Sequence, residues 1–73
     1  MQQNLTVPCN VEAEIALLGC VLIDENLMVE LSDLLLPDDF YDVKNRLIYR
    51  TMLNLSKEGK NIDITTLVST LEA

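Results

Sequence analysis

Apolar residues recur along this chain in four clusters, each with the three- and four-residue spacing of a helix that buries one side. In the first, Val11, Ile15, Leu18 and Leu22 fall on one stripe of a segment covering residues 11–23. Asn10 precedes it as an N-cap, and Glu12 and Glu14 sit in the first turn, where the helix dipole favours negative charge. The other sides carry Ala13, Ala16, Leu17, Cys20 and Val21. A helix so apolar all round is expected to be buried on most faces, at the domain centre or in an assembly. Gly19 costs about 1 kcal/mol in a helix interior but admits the close approach of another backbone. The stretch 21–23 also suits a short strand, but no hairpin turn with a partner strand follows it.

Asp24 can cap a second helix over about 25–35, with Leu27, Met28, Leu31, Leu34 and Leu35 on one face and Glu30 and Asp33 facing away. Pro37 stops it, because proline disfavours a helical residue before it and suits the first position of a new turn. The corner Leu36-Pro37-Asp38-Asp39-Phe40-Tyr41 follows, as a single helical turn with Phe40 and Tyr41 as an aromatic plug for the core. Asp42 then caps the longest helix, about 43–58, closed by Gly59 in the position past a C-terminus that favours glycine. Its expected core face is Leu47, Ile48, Thr51, Met52 and Leu55, with Arg46, Arg50 and Lys57 opposite. Asp63 caps the last helix, whose stripe is Ile64, Leu67, Val68 and Leu71; removing that cap should cost about 1 kcal/mol. The pattern therefore predicts an all-α fold, a small orthogonal bundle of about four helices plus a short turn. It occupies residues 10–73 behind a flexible N-terminal arm, residues 1–9. Neither glycine nor proline closes the last helix after Leu71, so the pattern expects a boundary at Ala73 that is not a natural end.

Length and composition sharpen this picture. A chain of 73 residues makes one domain and buries only about 60% of the surface it exposes when unfolded. Yet 49% of its residues are apolar, so either the core is leucine-rich or apolar surface is left for a partner. The formal net charge of −7 disfavours direct, charge-driven binding to phosphate backbones. Charge is also polarised. Nine acidic side chains and no basic one lie in residues 1–42, and Lys44, Arg46, Arg50, Lys57 and Lys60 all follow. Cys9 and Cys20 do not make a disulfide framework, and Cys20 in its apolar run reads as a small hydrophobe of a reduced, cytoplasmic protein. No stretch approaches the length needed to cross a bilayer.

Chemistry is sparse. The two glycines stand apart and form no phosphate loop, and there is no histidine to serve as a base or to join the cysteines at a zinc ion. The nearest calcium-loop match, from Asp24 and Asn26, has Val29 where glycine is needed. Asp38 and Asp39 are read as ordinary helix-start residues rather than an acid–base pair. No catalytic residue, cofactor site or metal site is expected in this chain.

Four motifs in order then carry a family resemblance. Asn10-Val11-Glu12-Ala13-Glu14 with Leu17-Leu18-Gly19 resembles the start of the N-terminal domain of DnaB-type replicative DNA helicases. The corner with Pro37, Asp39, Phe40 and Tyr41 is similar to that family's most recognisable element. Leu47-Ile48-Tyr49 with Met52 and Leu55, and Gly59-Lys60-Asn61-Ile62-Asp63 with Thr65 or Thr66 and Leu71, complete the match from Pro8 to Leu71. Asn45 stands where the family commonly has histidine, Thr51 where alanine is usual and Asn61 where proline is usual. The resemblance implies the globular head of a helicase N-terminal domain, followed in the family by a helical hairpin, a linker and a RecA-like motor that uses ATP and Mg. It implies self-association in a hexameric collar, docking of primase and a helicase loader, and DNA contact only through other parts of the protein.

Two other readings stay beside it. An acyl-carrier-like protein is also a small acidic helical bundle, but Ser32 lies in Leu31-Ser32-Asp33-Leu34, the wrong order and inside a helix. Direct single-strand DNA binding would rest on Arg46, Arg50 and Lys57, three charges in a strongly acidic chain.

Overall fold

Side chains three residues ahead fix most of the helix starts. In the computed structural model, which describes residues 10–72, Asn10 accepts the amide of Ala13 at 3.0 Å and opens α1 (Val11–Ile23). Asp42 does the same for Lys44 and Asn45 at the head of α3 (Val43–Lys57). At α4 (Ile64–Glu72) the cap is reciprocal: Asp63 accepts the Thr66 amide at 2.9 Å, and the Thr66 hydroxyl accepts the Asp63 amide at 3.1 Å. At the end of α3, Gly59 takes φ 73°, and the amides of Gly59 and Lys60 bond back to Ser56 and Leu55. That is a complete Schellman closure, which a residue with a Cβ adopts only with strain.

The second helix departs slightly from expectation. Asp24 does not cap it directly; its carboxylate accepts the Asn26 amide and holds a tight turn, and α2 begins two residues later (Leu27–Leu34). It ends one residue early because Leu35 and Leu36 are both extended ahead of Pro37. A 3₁₀ turn follows (Pro37–Asp39), whose Asp39 carboxylate accepts the Leu36 amide at 2.8 Å. All regular structure among the described residues is helical, with no strand, as an all-α bundle requires.

The third helix is the centre of the molecule. It packs against α1, α2, the 3₁₀ turn and α4, whereas α1 and α2 touch each other on one side only. The core is Leu18, Val21, Met28, Phe40, Tyr49, Met52, Leu55, Ile62 and Leu67. This corrects several expected faces. Helix α1, although apolar all round, buries only Leu18 and Val21, and Ile15 is 57% exposed. Leu34 on α2 and Leu47 on α3 face solvent, as do Ile64, Val68 and Leu71 on α4. Gly19 admits no neighbouring backbone: a Cβ there would meet nothing within 4 Å. Cys20 is exposed rather than a core hydrophobe. The physical reason is common to all of these. A small bundle covers an outer helix only on the sides where its few neighbours lie, so an apolar residue on the far side has nothing to cover it. The arm over residues 1–9 lies outside the described residues.

Candidate interaction surfaces

The corner between α2 and α3 is built by long-range hydrogen bonds rather than by apolar packing alone. The Glu14 carboxylate, on the first turn of α1, accepts the backbone amides of Tyr41 and Asp42 and the side-chain amide of buried Asn45 at 3.0 Å. Burial raises the pKa of this carboxyl, and the negative charge of Asp42 adds to that. The hydrogen bonds from Asn45, Tyr41 and Asp42 outweigh both and leave it below its ordinary value. On the other side of the corner, the Arg46 guanidinium donates to the carbonyls of Phe40 and Tyr41 at 2.9 and 3.2 Å. Arg46 is therefore a brace for the corner and not part of a solvated basic face.

Two aromatic residues fill the inside of this corner, and they are not the pair expected. Phe40 is buried, but its ring lies 4.8 Å from Tyr49, not beside Tyr41, which is 59% exposed. Tyr49 is wholly buried, and its hydroxyl lies 3.0 Å and 2.9 Å from the carbonyls of Leu31 and Leu35, at the end of α2. Burial, with the charge of Asp39 added, pushes the Tyr49 phenol up from its usual range. Glu25 makes a third long-range tie, accepting the Ile62 amide at 2.9 Å and pinning the loop before α4 to the α1–α2 turn. From the sequence, Tyr49 is read only within a family motif and Asn45 only as a departure from it, and neither is placed on the core face of α3. The one signal for them is their four-residue spacing, continued by Met52 on the same side of α3.

The motif residues thus divide by role. Glu14, Leu18, Phe40 and the half-buried Ile48 face inward or tie elements together; Pro37 and Asp39 shape the 3₁₀ turn; Gly59 and Asp63 end and start helices. Glu12, Ala13 and Tyr41 point to solvent, and Gly19 is half-buried in α1. The Asp39 carboxylate accepts the Leu36 amide at the start of the 3₁₀ turn, and Asp38 is exposed beside it. Ser32 lies within α2, where its hydroxyl donates to the carbonyl of Val29, away from any helix start.

What remains is surface. Eleven large apolar side chains are exposed among the described residues, on every helix and on the corner. On α1 the outward side runs through Ala13, Ala16, Cys20 and the 88% exposed Ile23, with Glu12 as its one charge. Leu36, Tyr41, Val43 and Leu47 add exposed apolar area around the corner and the start of α3. Exposed apolar side chains mark a partner site where they join into a contiguous patch.

The sequence pattern of the DnaB-like helicase N-terminal domain matches residues 6–73. The chain belongs to this family. It is 39% identical over 64 residues to the replicative DNA helicase DnaC of Bacillus subtilis, covering 88% of this chain and 14% of that protein. It is 36% identical over 66 residues to the replicative DNA helicase DnaB of Geobacillus stearothermophilus, covering 90% and 14%. With the DnaB protein of Synechocystis the identity is 40% over 65 residues, covering 89% of this chain and 8% of the relative. No solved structure gives a match. The chain therefore spans about one seventh of the length of the first two helicases.

Proposed function

We propose that this chain is the N-terminal head of a replicative DNA helicase, and that it works as a self-association and partner-docking module. Residues 10–73 form the head, with residues 1–9 as its arm. Self-association builds the collar of a hexameric helicase, and primase and a helicase loader dock on the same heads. Duplex unwinding at the replication fork, driven by ATP with Mg, belongs to the longer helicase, which acts in the cytoplasm. The residues of this chain do not suit a nucleotide: Gly19 lies singly inside α1 and Gly59 singly at the end of α3, so neither contributes to a loop that cradles phosphates. DNA contact is likewise assigned to other parts of the helicase, since this head carries −7 and Arg46 is engaged by the corner. No helix among the described residues is long and apolar enough to cross a membrane.

The observation that carries this reading is the exposed apolar surface on a small head whose core is already complete without it. Sedimentation of the purified chain over a wide concentration range, with and without the primase of the same organism, tests it. Association with itself or with primase is the expected result; a strictly monomeric chain that leaves primase sedimenting unchanged overturns it.

A further inference from the structure

The outward faces of α2 and α3 are opposite in charge, and each carries an exposed apolar pair. On α2, Val29 is 67% and Leu34 75% exposed, and Glu30 and Asp33 lie exposed between them. These four residues sit on two adjacent ridges at four-residue spacing, each ridge carrying one apolar side chain and one carboxylate. On α3, the exposed stripe Val43, Leu47, Arg50 and Lys57 follows four-, three- and seven-residue steps, with its apolar pair first and its cations after. The rise of a helix puts Val29 and Leu34 about 7.5 Å apart along α2, and Val43 and Leu47 about 6 Å apart along α3. Neither cation makes an ion pair with the described residues, among which the one such pair is Lys60 with Glu58.

These faces cannot meet within one molecule, because α2 and α3 already pack together through the opposite sides that carry Met28 and Tyr49. We propose that the α2 face of one copy docks on the α3 face of the next. The occupant follows from charge. Two bodies of −7 repel in most orientations, and the stretch that holds every basic residue, 44–60, can approach a second copy favourably only at its acidic half. A two-fold pairing of α2 with α2 would set carboxylates against carboxylates, so the contact is between unlike faces. The pair then keeps one free face of each kind, one on each copy, and association continues beyond a pair, as a heterologous interface requires.

This inference rests on the self-association proposed above but specifies where it occurs, and a charge-swap experiment on the intact chain separates the two. One variant carries Arg50→Glu with Lys57→Glu, the other Glu30→Lys with Asp33→Lys. All four residues are exposed, so both variants should keep the far-UV circular dichroism and melting of the native chain. Sedimentation at low salt should show association of the native chain, roughly tenfold or more weaker association of each variant alone, and recovery when the two are mixed, because the swapped faces then match again. Native-like association of either variant alone would overturn the docking mode while leaving self-association standing. Weakening without recovery in the mixture would show that the two faces do not meet each other and overturn it as well. A native chain that stays monomeric throughout would remove both.

Discussion

Replacing Tyr49 by phenylalanine removes a single oxygen from the centre of the head. The ring, its 4.8 Å contact with Phe40 and its complete burial are retained, so no cavity larger than the hydroxyl opens. What is lost is the hydrogen bond that closes the end of α2. The Leu31 carbonyl keeps the Leu35 amide at 2.8 Å, but the Leu35 carbonyl is left without a partner among the described residues. One hydrogen bond plus one partly desolvated carbonyl amounts to about 1–3 kcal/mol. For a domain of this size each kcal/mol shifts the melting midpoint by roughly 4–8 °C, so a fall of about 5–20 °C is expected. The control is Tyr41→Phe, one residue from Phe40 in sequence but 59% exposed, which should stay within about 0.5 kcal/mol of the native chain. Thermal melts followed by far-UV circular dichroism, with urea titrations at pH 7, measure both. Base adds a second check. The folded phenol binds its proton more tightly than the unfolded one, so stability falls as pH rises above about 10, and Tyr49→Phe should remove that fall. An unchanged midpoint for Tyr49→Phe, or an equal loss for Tyr41→Phe, would refute the placement of Tyr49 as the α2 closure.

Three other outcomes are expected. Glu14→Gln should lose about 1–3 kcal/mol at pH 7, since the carboxylate is the shared acceptor of the corner. Its folded pKa lies below 4.5, so between the two values the unfolded chain binds more protons; the native contribution is present above 4.5 and lost as pH falls through the folded pKa. Urea titrations from pH 7 to pH 3 should therefore show a shallower acid loss for the variant than for the native chain. Met52→Ala, at a wholly buried position, should cost about 2–5 kcal/mol, whereas Leu47→Ala, at 51% exposure, should stay near the native midpoint in the same melts. The two glycines should respond with opposite sign: Gly59→Ala should destabilise by about 1 kcal/mol because of its φ of 73°, and Gly19→Ala should stabilise by about 0.5–1 kcal/mol because its Cβ would meet nothing.

The family and the all-helical fold were legible in the sequence because their signals are local. Asn10, Asp42 and Asp63 each cap a helix through a bond to an amide two or three residues on, and Gly59 is set by backbone sterics at one residue. Such features need no knowledge of what the helix packs against. The direction of each helix did need it. In α1 only Glu12 and Glu14 break an apolar run, so its periodicity has no polar side to fix a phase, and Ile15 and Leu18 look alike until α3 covers one of them. On α3 the polar side is present, but the apolar pattern put Leu47 inside and left Tyr49 out of the core face, because a tyrosine can serve on a surface as well as in a core. The corner depended on tertiary structure altogether. Glu14 meets Asn45 across 31 residues and Glu25 meets Ile62 across 37, and spacing along a chain carries no information about partners that only packing brings together. The exposed faces are of the same kind: composition implied that apolar surface was left over, and only the central position of α3 decided which side of each helix it lay on.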